Sequence, residues 1–111
     1  GHDCGDYVLK SLSKLMKNKL KDDCSICRWG GEEILIMYPN TTCNYAAKLS
    51  EELRFAIETA PFIYNDSHFD ITMTFGISCS EECSSISEML LQADKNLYKG
   101  KNSGKNCVIS E

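Results

Sequence analysis

Three short stretches of the chain gather side chains able to do chemistry. At Glu32-Glu33 two adjacent carboxylates follow Gly30-Gly31 and precede the apolar run of residues 34–38. Glu is depleted in strands and like charges side by side repel, so acids at the head of a strand need either solvent or a cation. The plain alternative is a solvated hairpin tip, because two glycines between strand-like runs read as a tight turn. Near the C-terminus, Lys101 and Lys105 lie in a glycine-rich basic turn; on their own they read equally well as cations offsetting a helix dipole. Cys24-x-x-Cys27 has metal or redox spacing, which raises a cysteine-based metal or redox module as a further reading. Residues three apart on a strand face opposite ways, and no second such pair follows, which weakens that reading.

These groups sit in an ordinary globular composition. The 111 residues make one small domain, with 42% hydrophobic and 25% charged residues. A net charge of −4 argues against nucleic acid as a partner. An acidic protein handling a phosphate-rich ligand would need local lysines and divalent metal. No apolar run approaches a membrane span and nothing resembles a signal peptide, so no direct membrane contact and a cytoplasmic location are expected. The seven cysteines are accordingly expected to be reduced, mostly buried or incidental thiols.

The elements that must position the groups follow from periodicity. Residues 1–6 are polar and turn-like, and a helix follows with Val8, Leu9, Leu12, Leu15, Met16 and Leu20 at helical spacing. Asp6 at its start can take up free backbone N–H groups. Strand, Gly-Gly turn and strand come next. Ile34, Ile36 and Tyr38 share one face of the returning strand with Glu32, and Glu33, Leu35 and Met37 share the other, so a sheet covered on both sides is expected. Residues 39–42 cap a second helix that Pro61 ends. Residues 62–64, a turn at Asn65-Asp66, and a long strand over 69–79 follow, with Gly76 marking close approach by another backbone or helix. His68 is expected to be an exposed bystander. Ser85-Ile86-Ser87-Glu88 fits the capping box of a third helix, and residues 107–109 form a last strand. The order implies an α/β (α+β) fold in which helices flank a mixed, largely antiparallel central sheet.

Four motifs in order resemble the GGDEF-domain family, the catalytic domain of diguanylate cyclases. They are Gly1-His2-x-x-Gly5-Asp6, Arg28-Trp29-Gly30-Gly31-Glu32-Glu33-Ile34, Thr74-Phe75-Gly76-Ile77, and Ala93-Asp94-x-x-Leu97-Tyr98-x-x-Lys101-x-x-Gly104-Lys105-Asn106. The resemblance implies a nucleotide-cyclase palm that condenses two GTP molecules into cyclic di-GMP and pyrophosphate for bacterial signalling. It implies Glu32 and Glu33 as metal-binding and catalytic acids holding Mg²⁺ or Mn²⁺, Asp6 on the guanine edge, and Lys101 and Lys105 on terminal phosphates. Gly30 and Gly31 would let a triphosphate approach the backbone. It also implies a homodimer for catalysis and an upstream sensory domain. The alternative is a degenerate, non-catalytic domain that binds GTP or a protein partner.

Departures from the family qualify this. The family's Asp-rich first strand, which supplies a metal-binding Asp, a phosphate-binding Lys and a guanine-binding Asn, has no counterpart here. The chain is therefore expected to be a truncated domain, inactive alone and prone to self-association through the gap. Ile34 replaces the motif's Phe, and Lys105 stands where Arg is usual. The Arg-x-x-Asp product-inhibition site reads Lys21-Asp22-Asp23-Cys24 and is expected to be absent.

Overall fold

A computed structural model describes residues 2–110, so Gly1, which opens the first motif, lies outside the described residues. The elements are α1 (His2–Lys19), β1 (Ser25–Gly30), β2 (Glu33–Met37), α2 (Cys43–Thr59), β3 (Phe62–Tyr64), β4 (Ser67–Phe69), β5 (Phe75–Gly76), α3 (Ile86–Asn102) and β6 (Val108–Ile109). A single 3₁₀ turn at Ser80–Glu82 precedes α3. The class is the mixed α/β one that the periodicities implied. Its strands form three two-stranded ribbons, antiparallel β1–β2 and β3–β4 and parallel β5–β6, where one central sheet was expected.

The core explains the helices. Leu12 and Met16 of α1 and Leu20 just past its end meet Leu53 and Ile57 of α2 and Phe62 of β3, with Ile26, Ile34 and Ile36 of the first ribbon and Tyr38 just beyond it packed against them. Met16 and Ile57 are fully buried. Thr42 caps α2 by accepting from the Tyr45 N–H, and Ser85 caps α3 by accepting from the Glu88 N–H. The Glu88 carboxylate reaches the N–H and hydroxyl of Ser84. Asn65 and Asp66 both take positive φ, 49° and 66°, so β3 and β4 join through the mirror-image turn that two such residues permit.

Four expectations need correction. The helix starts at His2, so Asp6 lies in its second turn and caps nothing; Asp3 supplies the acid of the first turn, and one glycine at position 5 costs too little to stop propagation. The long strand over 69–79 is a strand only at Ser67–Phe69 and Phe75–Gly76. Ile71, Met73 and Phe75 do alternate inward onto the core, but residues 70–74 have no ladder partner among the described residues. The expected cover on both faces of β2 is incomplete: Met37, at the far end of the face that carries Glu33 and Leu35, is 59% exposed.

The fourth concerns the thiols. Cys43, the first residue of α2, is bonded to Cys79 beyond β5, with Cα atoms 5.7 Å apart. Helix start and loop converge there although 36 residues separate them, and such distance in sequence is invisible to spacing rules. The other five cysteines are free. Thiol titration of unfolded, non-reduced protein should therefore find five thiols of seven. Reduction should lower stability by about 2 kcal/mol, read as a fall in urea midpoint.

A polar tie closes the far end. Arg54 donates to Glu51, Glu58 and Asn106, and Asn106 donates to Glu58. Hydrogen bonds from Arg54 hold both carboxyls below their ordinary range. Groups so depressed stabilise the fold above their unfolded pKa, and that contribution disappears as pH falls through the folded value. Stability should therefore fall below about pH 4, where free Glu begins to protonate, and Arg54→Ala should flatten that limb in an acid titration followed by circular dichroism.

Candidate active site

The Gly-Gly-acid-acid stretch forms the tip of the β1–β2 ribbon, one residue out of the expected place. Gly30 pairs with Glu33, leaving Gly31 and Glu32 as the two-residue turn. Gly31 has φ +42°, the left-handed region that suits glycine. A Cβ at either Gly30 or Gly31 would meet nothing within 4 Å, so the surface over the turn is open. Arg28, which had been given no role, donates its Nε–H to the Gly31 carbonyl at 2.9 Å and braces the tip. Its only sequence signal was a donor-rich side chain two residues before the glycines. Glu32 is exposed at the tip, and Glu33 is half-buried at the head of β2.

The structure brings one distant residue to this corner. Lys101, in the last turn of α3, stands 3.6 Å from Glu33 Oε2, with both side chains about two-fifths exposed. Such a pair contributes only about 0–1 kcal/mol, so it does not hold the fold together. Lys101→Ala should shift the thermal midpoint by no more than a few degrees in calorimetry. The ammonium is thus free to exchange a carboxylate for another anion.

What places Lys101 is the packing of α3. Asn96, fully buried, donates to the Ile77 carbonyl at 2.6 Å and accepts from Gln92. Gly76 of β5 lies so close to α3 that a Cβ would fall 2.2 Å from the Leu97 nitrogen. These contacts fix the helix along its length and therefore its last turn.

Lys105 is not joined to this corner. The helix ends at Asn102, and Gly104, Lys105 and Asn106 all take positive φ as the chain reverses. The Lys105 N–H donates to the Gly100 carbonyl and its side chain is exposed. A lysine at φ +62° carries about 1 kcal/mol of strain. Lys105→Gly should accordingly stabilise the domain by about that amount in urea unfolding. Asp6 is exposed on α1 and in no ion pair among the described residues. No group of three or more His, Cys, Asp or Glu is arranged to hold a metal among the described residues, which covers Cys24 and Cys27 as well. His68 is exposed, as expected.

The family model for the diguanylate cyclase GGDEF domain matches residues 1–107. The chain belongs to the GGDEF-domain family. It is 32% identical to the active GGEEF domain of a diguanylate cyclase from Vibrio cholerae, with a TM-score of 0.86 over 99% of this chain and 70% of that one. The diguanylate cyclase SiaD from Pseudomonas aeruginosa, solved with its activator SiaC, is 28% identical with a TM-score of 0.92, over 100% of this chain and 43% of that one. Diguanylate cyclase A of Treponema denticola is 31% identical over 97% of this chain and 29% of its own length. Response regulator PleD of Caulobacter vibrioides is 30% identical over 100% and 25%. The GGDEF chain thus spans between a quarter and a third of these two curated relatives. No described helix is long and apolar enough to cross a membrane.

Proposed function

We propose that this GGDEF domain serves a diguanylate cyclase, joining two GTP molecules into cyclic di-GMP with release of two pyrophosphates. The observation that carries the reading is the corner itself: an open glycine turn, two carboxylates and the Lys101 ammonium, assembled from β2 and α3. Glu32 and Glu33 offer the hard oxygen donors that suit Mg²⁺ or Mn²⁺. When bound, such a cation lowers the pKa of the attacking 3′-hydroxyl and offsets phosphate charge. Lys101 leaves Glu33 to hold the terminal phosphates, joined by Lys105 once that turn moves. Asp6 accepts from both N–H donors of the guanine edge, a bidentate pattern that adenine cannot match. Gly30 and Gly31 keep side chains out of the triphosphate's path.

Two carboxylates are fewer than the six or so oxygens these ions take. We therefore propose that a further strand beside residues 70–74, which have no ladder partner among the described residues, completes both the sheet and the site. Catalysis uses a cytoplasmic homodimer, since two nucleotides must face each other, and a sensory domain governs it in a longer protein. The small ligand set favours a second reading, a non-catalytic GTP-binding or protein-interaction module.

The deciding experiment incubates the protein at its natural full length with GTP and Mg²⁺ and quantifies cyclic di-GMP. Product formation with a KM for GTP raised by Asp6→Ala supports the cyclase; GTP binding without product supports the module. The 111-residue chain alone is expected to form no product, and robust turnover by it would remove the need for a further strand.

A further inference from the structure

A cavity of about 580 Å³ lies on the flank of the molecule, between α1 and the face of the β1–β2 ribbon. Its floor is aliphatic, with Leu9, Ile26 and Ile34 among the lining residues. Lys10, Lys14 and Lys17 of α1 stand on one side and Arg28 on the other, and no carboxylate lines it. Four of the 12 cations of an acidic protein thus gather where no acid answers them. None of the three lysines is in an ion pair among the described residues. On α2, by contrast, Arg54 is held between Glu51 and Glu58. Lysines at i and i+4 repel, so the α1 stripe costs helix stability that a bound anion would recover.

The groove's shape narrows the class of occupant. Ile34 of β2 shares the core-facing side of the ribbon with Ile26 and Arg28 of β1, so the groove crosses both strands. An occupant therefore lies over the face of the ribbon and not along the free edge of β1. A strand laid there would leave its backbone groups unpaired, whereas a helix satisfies its own. No aromatic side chain lines the groove to stack a base. The stripe from Lys10 to Lys17 runs about 10 Å, two turns of helix.

We propose that this groove docks an acidic amphipathic helix of a partner protein, its carboxylates at i, i+4 and i+7 meeting Lys10, Lys14 and Lys17 and its aliphatic residues seated on Leu9, Ile26 and Ile34. The mode is helix-in-groove recognition with a cationic rim. It is independent of the catalytic reading, because none of the three lysines belongs to the candidate active site.

The test is fluorescence anisotropy of a labelled synthetic helical peptide with Glu at i, i+4 and i+7 and Leu on the adjoining stripe, titrated with the protein at its natural full length. Binding should weaken at least tenfold with Lys14→Glu/Lys17→Glu and recover when the peptide's Glu residues become Lys. It should also weaken tenfold when the peptide's Leu residues become Ser. Lys14→Gln/Lys17→Gln provides the milder variant should the reversal disturb folding, checked by circular dichroism, and it should weaken binding severalfold. Binding unchanged by either pair of variants overturns the proposal, as does equal binding by the Ser peptide. Displacement of the peptide by equimolar inorganic triphosphate would assign the groove to small anions. Preference for phosphatidylglycerol vesicles would assign it to a membrane surface. Either result overturns the helix.

Discussion

Alanine at Glu33 should cut GTP conversion by the full-length protein at least a hundredfold, and alanine at both Glu32 and Glu33 should bring it to background. Glu33 is the carboxylate with the defined position: it heads β2, is half-buried, and already faces the Lys101 ammonium at 3.6 Å. Removing it takes away an oxygen donor where charge develops and leaves Lys101 without its partner. Losses of two to three powers of ten are usual when one electrostatic contact to a transition state is deleted. Glu32 sits on the exposed turn, free to move toward a ligand, so its single substitution should be as costly only if it too binds the cation. The fold should be indifferent, because neither side chain belongs to the core and the pair with Lys101 contributes at most about 1 kcal/mol. Equal unfolding midpoints beside lost turnover would locate the effect in chemistry. Turnover unaffected by either substitution would remove the catalytic reading.

The largest effect on folding is expected at a residue with no side chain. Gly76→Ala should destabilise the domain by about 3 kcal/mol or more, because extra atoms in a packed site force neighbours to move. The atoms in the way are the Leu97 nitrogen at 2.2 Å, the Ala93 carbonyl at 2.3 Å and the Leu97 Cα at 2.7 Å. All three are backbone, so α3 itself would have to shift. At Gly100, by comparison, the nearest obstacle is the Thr74 Cγ2 at 2.6 Å, a side chain with some freedom. In a domain of this size the Gly76 loss corresponds to a fall of roughly 10 °C or more in the thermal midpoint. Because α3 carries Lys101, any residual folded protein should also bind anions at the ribbon tip less well. A thermal midpoint within 2 °C of wild type would contradict the close packing.

Much of this was legible in the residues. Periodicity found all three helices, the capping pattern placed the start of α3 at Ile86, and Gly76 announced a close approach before its neighbour was known. The glycine-acid turn was recognised, though its tip proved to be Gly31-Glu32. What escaped depended on partners distant in sequence. Residues 70–74 carry the period-two pattern of a strand, but a strand needs a ladder, and local pattern cannot say whether one is there. The meeting of Cys43 with Cys79 and of Glu33 with Lys101 likewise follows from tertiary packing. The capping alternative for Asp6 failed differently. Its type suited a helix cap, yet α1 runs through Gly5 and begins four residues earlier.

The pairing of Gly30 with Glu33 has a consequence for how this domain can change over time. The turn holds two residues, and side chains on β2 alternate strictly beyond it. Deleting one turn residue would bring Ile34 into the register of Glu33 and draw Glu33 into the turn, swinging Ile34, Ile36 and Tyr38 off the core face and Leu35 and Met37 onto it. Substitutions at the tip can be sampled one at a time, but changes of length there cannot. The loop that carries the proposed chemistry is thereby locked in size by the core behind it.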